Sequence, residues 1–150
     1  PTRVTVMKPT LEGGCFARTP VKGEVTWTDE GGYVGTTGGG KQFEIYGTDS
    51  PSPMEMVAHG HAACSLIDLI DGLKHRKKDL EYIRVKIDAE RADESPKVFT
   101  SIMMRYIVKG GVPESLVRRL IESSHQKYCS VGIMITRSGA SLDWSLEIVD

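Results

Sequence analysis

Cysteine is scarce in this chain: Cys15, Cys64 and Cys129 are three in 150 residues, too few and too widely spaced for the disulfide framework of a small secreted domain. Net charge is nearly absent as well. Nineteen Lys and Arg stand against 20 Asp and Glu, a formal charge of −1 at pH 7, which removes the basic footprint expected of a nucleic-acid-binding protein. A long uninterrupted apolar run is also missing. The most apolar stretch is cut by Glu55, His59, His61, Asp68 and Asp71, short of the roughly 18 apolar residues that read as a membrane span. No basic start followed by an apolar run marks a signal peptide. With 39% hydrophobic and 26% charged residues the chain is not composed for disorder, and its length suits one domain with its own core. The expectation is a globular chain in a reducing, cytoplasmic setting, without nucleic-acid or membrane partners.

Residues 1–23 are rich in Thr, Pro and Gly and carry the turn signals Gly13-Gly14 and Thr19-Pro20, so they read as an N-terminal arm with at most one short strand, around residues 3–7. A domain of residues 24–150 follows. Val25 and Trp27 alternate with polar neighbours, Gly31-Gly32 and Gly38-Gly39-Gly40 make turns, and Phe43 and Ile45 alternate again, which predicts three short antiparallel strands. The triple glycine follows no buried strand and opens no helix, so it reads as a hairpin turn and not a phosphate loop. At Ser50-Pro51-Ser52-Pro53 the chain punctuates, and Ser52 as N-cap with Pro53 at the first helical position predicts a helix running to about Lys74. Met54, Met56, Val57, Ala58, Ala62, Leu66, Ile67, Leu69, Ile70 and Leu73 cover nearly all its faces, the mark of a helix buried in the protein or between subunits. The cations Lys74, His75, Arg76, Lys77 and Lys78 then complement its C-terminus.

Ile83, Val85, Ile87 and Ala89, then Val98, Thr100, Ile102, Met104, Tyr106 and Val108, alternate strictly and predict a strand pair joined through residues 93–96. Pro113 opens a second, amphipathic helix with Leu116, Val117, Leu120, Ile121 and Tyr128 on its apolar stripe. Val131, Ile133 and Ile135 alternate and read as a further strand; Ser138-Gly139 turns into a last one carrying Leu142, Trp144, Leu146 and Ile148. The expected order is βββα followed by ββαββ. That is an α+β protein with antiparallel sheets, a long buried central helix and a second amphipathic helix.

On the first helix Gly60, His61, Ile67 and Asp68 share the face of Cys64, so an imidazole and a carboxylate lie within one turn of its sulfur. His125 precedes Cys129 by one turn, with Lys127 and Tyr128 adjoining. Cations beside a thiol favour the nucleophilic thiolate. The same four residues, His61, Cys64, His125 and Cys129, also have the composition of a Cys2His2 zinc site. His59 does not join them, being about 200° around the helix from His61. The plainest alternative is that each cysteine is a small buried hydrophobe.

The segment from Ser52-Pro53-Met54-Glu55-Met56 to Ala62-Ala63-Cys64-Ser65, with the later His125-Gln126-Lys127-Tyr128-Cys129-Ser130-Val131, resembles the two cysteine motifs of the OsmC/Ohr family. The likeness runs from about Glu24 to the C-terminus and leaves Cys15 outside. It implies an intertwined homodimer whose central helices pack at the subunit interface. It also implies a cysteine-based peroxidase that reduces organic hydroperoxides without metal or cofactor. Cys64 would be the peroxidatic thiolate that becomes a sulfenic acid, and Cys129 the thiol that resolves it to a disulfide. A dithiol, dihydrolipoyl in the best-known branch, would then reduce the disulfide.

This chain departs from the family pattern in two places. Met54 stands where those peroxidases carry Glu directly after the proline, and Glu55 lies half a turn off the face of Cys64. Their partner Arg has no clear match, since Arg3 and Arg18 fall in the arm. Arg91, in Glu90-Arg91 before Pro96 and Phe99, resembles a motif of a less characterised branch sharing Ser-Pro-Met-Glu-Met; its plainer reading is a strand-end surface charge. Three functions therefore stay open: hydroperoxide reductase, non-catalytic thiol redox sensor or hydrophobic-ligand carrier, and zinc-binding protein.

Overall fold

A computed structural model describes residues 20–150. Cys15, Arg3, Arg18, the strand expected at residues 3–7 and all of the expected arm before Pro20 lie outside the described residues. The described residues divide into two compact units, one up to Met56 and the other Val57–Asp150.

In the first unit, β1 (Gly23–Thr28), β2 (Gly32–Thr37) and β3 (Gln42–Ile45) form the expected antiparallel meander. Val25 pairs with Gly35 and Gly35 with Phe43, while Trp27 pairs with Tyr33 and Tyr33 with Ile45. Directly paired residues project to the same side of a sheet, so these side chains share one face. Every residue of β1 is nevertheless exposed.

Helix α1 (Pro53–Leu73) starts at the expected cap. The Glu55 backbone N–H donates to Ser52 Oγ (3.3 Å), and Glu55 Oε2 accepts from Ser52 N (2.8 Å) and Ser52 Oγ (2.7 Å). This is a capping box, spelled in the sequence as Ser-x-x-Glu, so Glu55 serves the helix start.

In the second unit a 3-10 turn (Lys74–Asp79) leads from α1 into β4 (Leu80–Arg91) and β5 (Phe99–Gly110), an antiparallel pair. Arg91 is exposed and its Nε donates to Lys97 O (2.7 Å), closing the loop between these strands. Helix α2 (Glu114–Ser123), one turn of π-helix (Ser124–Tyr128), α3 (Ser130–Arg137) and β6 (Ser141–Val149) complete the chain. Ile83, Val85, Ile87 and Ala89 pair across to Val108, Tyr106, Met104 and Ile102, and these pair on to Ile148, Leu146, Trp144 and Leu142. All the alternating apolar residues thus lie on one face. The other face carries Arg84, Lys86, Asp88 and Arg105, with an exposed Arg105–Asp88 ion pair at 3.4 Å.

Two sequence expectations are corrected here. Residues 131–135 are not a strand but the body of α3, and β6 runs parallel, not antiparallel, to β5. A short apolar run such as Val131-Gly132-Ile133-Met134-Ile135 has no periodicity that separates strand from helix. What decides it is Cys129, extended at φ −71° and ψ 94°, whose sulfur accepts the Gly132 N–H as the N-cap of α3. The helical segment between β5 and β6 then serves as a crossover, which returns the chain in the same direction. Gly72 on α1 lets the second helix in closely: a Cβ there would collide with Leu120 of α2.

Candidate active site

α1 positions Cys64 and the N-cap of α3 positions Cys129; their sulfurs, remote in sequence, meet as hydrogen-bonded thiols. Cys64 is 4% exposed and Cys129 fully buried, and neither is in a disulfide. Cys129 Sγ accepts from Gly132 N at 3.4 Å and donates to His61 O at 3.8 Å. Burial first, then the hydrogen bond and charge of Cys64, push the Cys129 thiol up to about 12, while the Gly132 N–H pulls the other way. Cys129 is therefore a thiol at neutral pH and must lose its proton in the act of reacting. Two thiols that hydrogen-bond to each other are suitably placed to be candidates for a disulfide.

The imidazoles expected near the sulfurs are there, in a different state from the one the sequence suggested. His61 is fully buried one turn before Cys64, and its ring lies 6.0 Å from that of His125, edge to face. Burial holds both imidazoles down to about 4, with mutual repulsion adding to the effect at His125. Both are neutral at physiological pH and supply no cation to a thiolate. His61 Nδ1 and Nε2 and His125 Nδ1 have no hydrogen-bond partner among the described residues. Each such buried group costs about 1–3 kcal/mol of desolvation.

His125 is held by its other nitrogen, at the end of a line of buried groups. Nε2 lies 2.8 Å from Tyr106 Oη, which lies 2.6 Å from Ser65 Oγ. Ser124 Oγ lies 3.1 Å from Ser65 Oγ and donates to Asp68 Oδ2 at 2.8 Å. Burial raises Asp68, opposed by the Ser124 bond and assisted by Asp71. Burial likewise drives the Tyr106 phenol well above its ordinary value, with Cys129 and Asp68 adding to the rise. Tyr106, Ser65, Ser124 and Gly132 were not singled out as site residues by the sequence. Tyr106 reads as one more apolar-face residue of a strand, although a serine directly beside Cys64 was a usable signal.

The zinc expectation is not supported. His61, Cys64, His125 and Cys129 do converge, yet no group of three or more His, Cys, Asp or Glu among the described residues is disposed to hold a metal ion. The polar chain instead ties His125 to Tyr106, and Cys129 to the helix cap. A cleft of about 320 Å³ is lined by His59, Ala62, Ala63, Leu66, Val85 and Ile87, on a different face of α1 from Cys64. No helix among the described residues is long and apolar enough to cross a membrane.

Residues 46–145 match the family model described as OsmC-like protein. The protein named YhfA of Escherichia coli strain K12 is 32% identical over 133 residues, covering 86% of this chain and 98% of its own length. Among solved structures, an OsmC-like protein from Mycoplasma pneumoniae superposes with a TM-score of 0.74 at 10% identity, covering 89% of this chain and 99% of that one. One titled organic hydroperoxide resistance protein OsmC, from Legionella pneumophila, gives 0.64 at 16% identity, covering 87% and 98%. At these identities the structural likenesses establish the shared α+β fold.

Proposed function

The chain belongs to the OsmC-like protein family, and from that premise we propose that it reduces organic hydroperoxides with its own thiols. The observation that carries this reading is the meeting of Cys64 and Cys129 as buried, hydrogen-bonded thiols. Cys64 attacks the peroxide and becomes a sulfenic acid, releasing the alcohol; Cys129 displaces water from that sulfur and forms the disulfide; a dithiol, dihydrolipoyl by family resemblance, restores both thiols. The name of the Legionella structure supports the substrate class.

The same reading takes residues 24–150 as the family domain of a cytoplasmic homodimer and residues 1–23 as its arm. Val25, Trp27, Tyr33 and Phe43 on one sheet face, and Val57 and Ile67 on α1, are exposed apolar side chains of the kind that a subunit interface covers. Sedimentation at micromolar concentration should give twice the chain mass.

A thiol redox sensor is the second reading, favoured by two neutral imidazoles and a resolving thiol pushed up to about 12. Steady-state consumption of tert-butyl hydroperoxide, hydrogen peroxide and a lipid hydroperoxide, driven by dithiothreitol or a dihydrolipoyl donor, separates the two. The reductase turns over repeatedly, prefers the organic peroxides and loses all activity in Cys64→Ser. A sensor forms one disulfide per chain and stops.

A further inference from the structure

His61 is the buried group that the thiol chemistry leaves unused, and its surroundings fit a role in it. Its ring is fully enclosed, yet both nitrogens lack a partner among the described residues. It lies one turn before Cys64 on α1, and residues at that spacing are neighbours on a helix surface. It also borders Cys129. A Cβ built at Gly132 would collide with His61 Nε2 and stand 3.3 Å from Cys129 Sγ, so ring nitrogen and thiol meet the same side-chain-free patch of α3. A neutral imidazole carries one N–H donor and one acceptor lone pair. The pair of groups present at resolution is the complement: the Cys129 S–H donates, and the sulfenic oxygen on Cys64 accepts.

We propose that His61 is a further catalytic residue, passing the Cys129 proton to the hydroxyl that leaves Cys64. This rests on the hydroperoxide reading above. As the Cys129 sulfur attacks the Cys64 sulfur, its proton moves to one ring nitrogen. The S–O bond of the sulfenic acid breaks with its electron pair going to oxygen, and the proton from the other ring nitrogen completes a water molecule. The imidazole ends as its other neutral tautomer. The Cys129 sulfur rises and the Cys64 sulfur falls by one oxidation unit each, so the step calls on no outside oxidant or reductant. A thiol raised by burial and an imidazole held neutral make a concerted transfer the economical route, because neither a free thiolate nor an imidazolium has to form in the core. The line from Asp68 through Ser124, Ser65 and Tyr106 holds His125, whose ring packs edge to face on His61 and keeps that ring in place.

The test is a single turnover of the full reduced chain with one equivalent of tert-butyl hydroperoxide, in H2O and in D2O. Cys64 sulfenic acid is trapped with a cyclic 1,3-diketone and the disulfide is followed by mass. In the wild type, conversion of sulfenic acid to disulfide should be slower in D2O. In His61→Gln, which keeps hydrogen-bonding capacity but cannot exchange tautomers, the sulfenic acid should form at the wild-type rate. Its conversion to disulfide should then slow roughly a hundredfold, the scale of general acid–base help, and lose its D2O dependence. Resolution at the wild-type rate in His61→Gln overturns the proposal. So does a wild-type resolution step indifferent to D2O, a readout that needs no variant to fold. If Cys64 of the wild type is not oxidised at all, the hydroperoxide reading itself falls and His61 with it; a normally oxidised Cys64 with fast resolution in the variant removes His61 alone.

Discussion

In the sheet of β1, β2 and β3, Val25, Trp27, Tyr33 and Phe43 share one face and remain between 41% and 64% exposed. In the sheet of β4, β5 and β6, Ile102, Met104, Tyr106 and Val108 follow the same alternation and are 2% exposed or less. Alternation therefore reports sidedness, not depth: it says which side chains point together, while burial requires a second layer over that face. The second sheet has its layer. Ser65 of α1 and His125 of the π turn reach Tyr106 directly, and Arg118 of α2 stacks on Trp144 of β6 at 5.6 Å. The thiols sit under the same cover.

The largest test of this contrast pairs Met104→Ala with Val25→Ala. Truncating fully buried Met104 should cost about 2–5 kcal/mol in urea unfolding. Truncating Val25, 64% exposed, should cost no more than about 0.5 kcal/mol if its face meets solvent. A loss at Val25 approaching that at Met104 would show the first face covered in solution, as the proposed dimer requires.

Acid should next distinguish the sheets. His61 is held at about 4 in the folded chain against 6.5 unfolded, so the unfolded state binds the extra proton between those values. The stability this neutral imidazole secures is complete above pH 6.5 and lost as pH falls toward 4, about 3 kcal/mol for this fully buried group. Cys129 sets the alkaline limit with the opposite sign: its pKa is raised from 9.0 to about 12, so its contribution is complete below pH 9.0 and lost as pH rises toward 12. Amide protection factors, corrected for the intrinsic pH dependence of exchange, should fall between pH 7 and pH 5 in β5 and α1 before β2; the reverse order would break the comparison.

A smaller effect is expected of Tyr106→Phe. Removing the phenol hydroxyl leaves Ser65 Oγ and His125 Nε2 without their short partner, costing about 1–3 kcal/mol while opening no apolar cavity. Thermal unfolding gives the magnitude, and a neutral result would show that the buried chain rearranges freely. Least of all, Arg105→Ala on the outer face of the same sheet should change stability by less than about 1 kcal/mol, because its 3.4 Å pair with Asp88 is solvated on both sides.

The elements were legible wherever local chemistry decides: Ser52-Pro53 for the start of α1, strict alternation for β4, β5 and β6, glycine turns for the first meander. Residues 131–135 were not, because the signal for α3 is a cysteine acting as an N-cap, an uncommon acceptor for that role. His61 and His125 were legible as neighbours of the cysteines, but their charge state was not. A sequence shows an imidazole near a thiol; the neutral form follows from how much protein surrounds it.

The amino-acid order alone determined the α+β class, the faces of each strand, the capped start of the central helix and the two cysteine motifs, since each depends on residues within a turn or two of one another. Tertiary structure decided the rest. The parallel return of β6, the contact of Cys64 with Cys129, the enclosure of His61 against Gly132 and the line from Asp68 to His125 join residues remote in the chain. Their geometry and protonation depend on packing and the exclusion of water, which no local pattern encodes.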